Sequence, residues 1–121
     1  MLAAACLFVC VGVGLWSRSD AFLGDDRSAQ RLGTAMWAIS VVMLLRAVRP
    51  AWSVRRLWAV GITIAWGVEF LQITGLPRWI SGHVPPARLL LGSDFDAADL
   101  LWLAVGIVAG VAADGVARRL A

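Results

Sequence analysis

Lysine is absent from this chain, and all 11 basic residues are arginine. Histidine occurs once, at His83, and cysteine twice, at Cys6 and Cys10. A metal site built on histidine needs more than one, and no Cys/His group stands at metal-ligand spacing. Cys6 and Cys10 lie four apart in one apolar run and share a helix face, so they read as small buried hydrophobes, not as a disulfide framework. No cofactor is expected. Ser17 and Ser93 have no base near them in sequence, so no nucleophile motif supports a hydrolase, and the residues leave open whether the chain is an enzyme. The formal net charge is +3 and the pI near 10.1. Yet the arginines flank apolar runs and form no basic stripe or recognition helix, which argues against a nucleic-acid partner. No internal repeat or low-complexity tract is present.

Apolar residues fill the space left by these absences. They make up 60% of 121 residues, with a mean hydropathy of +0.79, whereas soluble domains average roughly 45–50% even with glycine counted. The length suits one domain, residues 1–121. Four apolar runs stand out: Leu2–Trp16, Gly33–Val48, Leu57–Leu76 and Leu100–Ala117. A span takes about 20 residues. The third and fourth qualify, the second qualifies if Arg46 snorkels, and the first is short. A signal peptide would want a basic segment before Leu2 and a small-residue cleavage site near Trp16; neither is there, so the first run is read as a retained helix. The expected fold is an all-α integral membrane protein, a four-transmembrane-helix bundle. A re-entrant or interfacial loop, Pro77–Asp99, would precede the last helix.

Four spans put both termini on one side. That side holds Arg46, Arg49, Arg55, Arg56, Arg118 and Arg119; the other holds Arg18, Arg27, Arg31, Arg78 and Arg88 with Asp20, Asp25, Asp26 and Asp94. The bias favours cytoplasmic termini in a bacterial inner membrane.

Glu69 and Gln72 lie inside the third run. An Asp at a helix centre costs on the order of 2.5–3.5 kcal/mol on insertion scales, and intramembrane ionisable groups default to function. Three residues apart, Glu69 and Gln72 share a face with Ile62, Ala65 and Ile73. Asp96 and Asp99 repeat that spacing at the start of the fourth run, where carboxylates favour a helix N-terminus. Asp99, Leu103, Gly106 and Gly110 continue as one stripe, and Gly106/Gly110 form a small-xxx-small pattern for helix packing. With Arg88 in the preceding loop and Arg18 after the first run, the expected cluster is Glu69, Gln72, Arg88, Asp96, Asp99 and Arg18 in an outward-facing polar pocket. A closed ion-pair network that locks the bundle is the structural alternative. Asp114 and Arg118, at i and i+4, read as a local pair, and Arg46 as a snorkelling anchor.

The stretches "GLWSR", "LGTAMWA", "VEFLQITGLPRWI" and "RLLLGSDFDAADLLWLAVGIVAG" resemble, in order and over nearly the whole chain, a bacterial family of small multi-span membrane proteins filed as domain of unknown function family 2809. The series E-x-x-Q, R, F-D-x-x-D, G-x-x-x-G is also similar to the VanZ-like family. That resemblance maps onto Glu69, Gln72, Arg88, Asp96, Asp99, Gly106 and Gly110, and implies an association with glycopeptide resistance. The first family usually carries Asp where this chain has Thr34, and often an aromatic at Leu103. The expected partners are membrane lipids and a lipid-linked cell-wall component or glycopeptide, and homo-oligomers are admitted. The expected function is binding or modifying such a component. The rivals are a proton- or ion-coupled carrier, weakened by the lack of a broken-helix pair, and a non-enzymatic membrane adaptor.

Overall fold

The computed structural model describes residues 2–16, 24–91 and 95–121. In chain order the elements are α1 (Leu2–Trp16), α2 (Asp26–Val48), α3 (Val54–Gln72), α4 (Leu76–His83), a 3₁₀ turn (Pro85–Ala87), α5 (Arg88–Leu91) and α6 (Ala97–Leu120). No strand occurs among the described residues.

Local chemistry sets the helix starts. Asp25 caps α2, its Oδ1 accepting the Ser28 N–H at 2.7 Å. The Ser28 hydroxyl and N–H together hold the Asp25 carboxyl below the usual carboxylate range. Ser53 caps α3, accepting from Arg56 N–H at 3.3 Å, and Asp96 caps α6, accepting from Ala98 N–H at 2.9 Å. Each side-chain oxygen satisfies one of the N–H groups a first turn leaves without a partner.

The cap at Asp25 starts α2 two turns before the apolar run begins at Gly33. At about 1.5 Å per residue, the 23 residues of α2 and 24 of α6 reach roughly 35 Å, enough for a hydrocarbon core of about 30 Å. These two helices are long and apolar enough to cross a membrane; α3 and α4 make a third span only if taken together, and they are bent by 84°. Arg55, Arg56 and Glu69 put three charges into the 19 residues of α3. The 15 residues of α1 cover only about 22 Å. Length and composition by themselves therefore support two or three of the four expected spans.

The bend corrects two expectations. In the stretch Pro77–Asp99, read from its prolines and glycines as a loop, residues 77–91 are helical but for the junction at Val84. Gly75 takes φ +75°, the left-handed conformation that ends α3. Pro77 then falls in the first turn of α4, where its missing N–H costs nothing, and Pro85–Pro86 begin the 3₁₀ turn. A bent helix pair is thus present where none was expected.

α2 is central and packs against α6, α1 and α3, while α3 also packs on α6. Near the starts of α2 and α6, Thr34 meets Asp99; near their ends, Arg46 meets Asp114. The two helices therefore run parallel. Glu69, late in α3, bonds to Asp96 at the start of α6, so α3 runs antiparallel to them. Gly14, late in α1, faces Met36 in the first half of α2.

The α2–α6 contact is close because it is made of small residues. A Cβ on Gly106 would lie 2.5 Å from the Ala35 carbonyl oxygen and 2.7 Å from Ala38 Cβ; one on Gly110 would lie 3.0 Å from Val42 Cβ. Lipid offers no hydrophobic drive for helix association, so such backbone approach supplies the packing. Ala38, Val42, Met43, Leu57, Ala65, Leu103 and Ile107 form the core. Around it Leu44, Leu101, Val105 and Val108 stand exposed, while Arg46, Glu69, Asp99 and Asp114 are buried. Apolar outside and charged inside is the pattern of helices solvated by hydrocarbon.

At the end of α2, Arg46 neither snorkels nor leaves Asp114 to Arg118. Its Nε and Nη2 donate to the two Asp114 oxygens at 2.8 and 2.7 Å, and its Nη1 to the carbonyls of Pro50 and Trp52, both at 2.9 Å. Arg46 and Asp114 are buried facing each other across the parallel helix pair, whereas Arg118 lies exposed one turn on. The fork geometry of guanidinium suits a bidentate carboxylate. This clasp joins α2, α6 and the α2–α3 turn.

Candidate functional site

At the opposite end of the same helix pair, a different polar group assembles around the start of α6. α3 buries Leu57, Gly61, Ala65 and Glu69, a stripe at intervals of four. Ile73, expected on this face, lies just past the end of α3 and is 63% exposed. The stripe carries Glu69 to the N-terminal end of α6, where Oε1 accepts the Asp96 N–H at 2.8 Å. In a capping box, a Glu three residues into the helix returns to the cap's own N–H. Here the residue at that position is Asp99, and a glutamate from another helix makes the bond.

Asp99 turns instead to α2. Its oxygens accept from Gln30 Nε2 at 3.3 Å and from Thr34 Oγ1 at 3.4 Å, and only 8% of the residue is exposed. Gln30 and Thr34 were not expected in the site, although their i, i+4 spacing at the start of a span was the available signal. The Thr34 hydroxyl supplies Asp99 with a donor.

Gln72 lies one turn after Glu69. Its Nε2 donates to the Leu91 carbonyl at 2.8 Å, tying α3 to α5. Its Oε1 is buried, and no donor among the described residues reaches it. Trp66 Nε1 donates to the Leu100 carbonyl at 3.1 Å. Phe70 and Phe95 stack with centroids 6.3 Å apart.

The cations are arranged differently from the carboxylates. Arg88 is exposed at the start of α5 and forms no ion pair with a described residue. Arg18 lies outside the described residues. Arg31, beside Gln30, sits 5.7 Å above the Trp102 ring, a cation–π distance. Glu69, Gln72, Asp96 and Asp99 therefore share one end of the bundle, with Arg31 at its rim. Gly106 and Gly110 lie farther along α6, on its buried face.

Chemically the site is rich in acceptors: three carboxylates and one amide carbonyl. The positive end of the α6 dipole offsets part of that charge. Such a site suits a ligand that brings donors, an ammonium or hydroxyl group. The Ser40, Thr63 and Thr74 hydroxyls donate to carbonyls within their own chain segments, of Met36, Ala59 and Leu71. Among the described residues no group of three or more His, Cys, Asp or Glu could hold a metal ion.

No curated protein matches the chain, and no solved structure does. A family model described as "Protein of unknown function (DUF2809)" matches residues 24–107, which takes in α2 to α5 and α6 through Ile107. The chain belongs to the DUF2809 family of proteins of unknown function.

Proposed function

We propose that this chain is a four-span protein of the bacterial inner membrane whose α6 N-terminal end faces outward and binds the polar part of a lipid or lipid-linked envelope component. Gln72 carries the reading: a buried carbonyl oxygen with no donor among the described residues, one turn from a buried glutamate, is an acceptor a ligand can use. Glu69 and Asp99 would take the donors of the headgroup, and Arg31 or Arg88 its phosphate, which a guanidinium matches. In this orientation both termini are cytoplasmic, in line with the arginine bias. α4, at 84° to α3, would lie along the outer interface with Trp79 62% exposed toward headgroups. The similarity to VanZ-like proteins makes glycopeptide sensitivity the phenotype to measure.

Glu69→Gln tests this reading. It keeps the shape and an acceptor for the Asp96 N–H, and removes the charge. The expected result is a correctly inserted protein of unchanged abundance that no longer supports growth under glycopeptide or envelope stress. Unchanged growth, with the wild type shown to be needed, would sink it. Orientation is tested by cysteine labelling in a chain without Cys6 and Cys10: Ser81→Cys should react with an impermeant reagent and Ser53→Cys should not. The bent α3–α4 pair favours a second reading, an ion-coupled carrier, because discontinuous helices mark many transport sites. Proteoliposomes that move protons or sodium through the wild type but not through Glu69→Gln would select it. The adaptor reading predicts instead that Glu69→Gln lowers the melting temperature and leaves growth alone.

A further inference from the structure

An apolar groove of about 580 Å³ runs between α1 and α2 and is closed at one side by Pro86 and Leu90. We infer that it seats one acyl chain of a glycerophospholipid whose headgroup reaches the polar end of α6; the headgroup half of this statement rests on the function proposed above.

On α2 the groove follows one face from Gly33 through Trp37 and Ser40 to Leu44. The eleven rises from Gly33 to Leu44, at about 1.5 Å each, give roughly 16 Å, close to half of a hydrocarbon core of about 30 Å, the depth of one leaflet. The volume lies within the range of ligand pockets, about 300–1,000 Å³. Ser40 is the one hydroxyl among the described lining residues, and it donates to the Met36 carbonyl at 2.8 Å. Beside Ser40, the polar groups among the described lining side chains are the Trp37 indole N–H and the Cys10 thiol.

The ends of the groove differ. At one end Gly33 adjoins Thr34 and lies one turn from Gln30, the two residues that hold Asp99. Leu90 adjoins Leu91, whose carbonyl holds Gln72. An apolar channel one leaflet deep thus ends beside an acceptor-rich site with Arg31 at its rim. That is the outline of an amphiphile with an anionic phosphate and a hydrogen-bond donor, such as phosphatidylethanolamine. Hydrocarbon alone gives no preference for the groove over the bilayer, so shape and headgroup contacts together must distinguish a seated lipid from its neighbours.

The test is native mass spectrometry of the full chain in mild detergent, titrated with phosphatidylethanolamine and, separately, phosphatidylglycerol. Leu44→Trp and Leu15→Trp fill the groove from positions 53% and 51% exposed, so neither displaces a packed neighbour; circular dichroism confirms their fold. The wild type should retain one phosphatidylethanolamine per chain, and each tryptophan variant should bind it about tenfold more weakly or worse. Retention unchanged in both variants, no retained lipid in the wild type, or a dimer in place of a lipid-bound monomer overturns the inference. Glu69→Gln separates the two halves. Loss of the preference for phosphatidylethanolamine with lipid still bound supports both, and an unchanged preference removes the polar-site reading while the groove stands.

Discussion

The two ends of α6 each bury an aspartate against α2, and they solve the problem of a buried charge in opposite ways. At Asp114 the solution is closed: both oxygens take a bidentate arginine, and the remaining guanidinium nitrogen is held by two carbonyls. The end at Asp99 is open in a neighbouring group. Gln30 and Thr34 donate to Asp99 from 3.3 and 3.4 Å, near the long limit for a hydrogen bond, and the adjacent Gln72 carbonyl has no donor among the described residues. A fully matched pair holds helices together and leaves nothing for a ligand. A loosely matched cluster can exchange its partners for a ligand's groups. The same helix thus ends on a clasped charge at one side and, at the other, beside an acceptor that no described residue satisfies.

The largest effect expected is at the closed end. Removing one partner strands a buried charge, which typically costs about 3–5 kcal/mol. Arg46→Met or Asp114→Leu should therefore abolish a cooperative thermal transition in detergent or lower it steeply. The double variant should recover most of the loss, since an apolar pair of similar volume is often neutral. A mild effect of either single change would put the closed end in the same class as the open one.

Next comes the contact between the ends. Gly106→Ala drives a Cβ into the Ala35 carbonyl and should destabilise by about 1–3 kcal/mol, the usual range for overpacking. Gly110→Ala, facing Val42 at 3.0 Å, should cost less. Gly67→Ala, with nothing within 4 Å, should be neutral or gain up to about 1 kcal/mol from helix propensity. The order of the three melting temperatures is the measurement.

At the open end Glu69→Gln should cost under about 1 kcal/mol, because the amide oxygen still accepts the Asp96 N–H. A loss as large as that of the Asp114 variants would show that the two ends do the same work.

The smallest effect is local. Asp25 titrates below the value it has in an unfolded chain, so its cap is at full strength above the ordinary carboxylate range and is lost as pH falls through the depressed folded value. Amide exchange in the first turn of α2 should quicken over that acidic window. Asp25→Asn, which caps without titrating, should remove the pH dependence.

Much of this was legible before any coordinates. The apolar runs gave the helices, because a 3.6-residue period and span length are local properties of a chain. Glu69 and Asp99 stood out because a carboxylate in an apolar run is conspicuous, and the Gly106/Gly110 stripe declared a packing face. Arg46 and Asp114 were just as conspicuous, but each had a cheaper local explanation, snorkelling or the i+4 arginine. Only the parallel setting of α2 against α6 brings together residues 68 apart in sequence.

Sequence by itself determined that the chain is helical and apolar and that carboxylates crowd the start of α6. The tertiary structure decided which charge meets which partner. It turned α4 across α3 at Gly75, took Glu69 to the Asp96 backbone N–H, and left the Gln72 carbonyl without a donor among the described residues. The reason is range. Helix period and capping act over four residues, whereas matching a buried charge depends on the depth at which two distant helices cross, and no single segment encodes that depth.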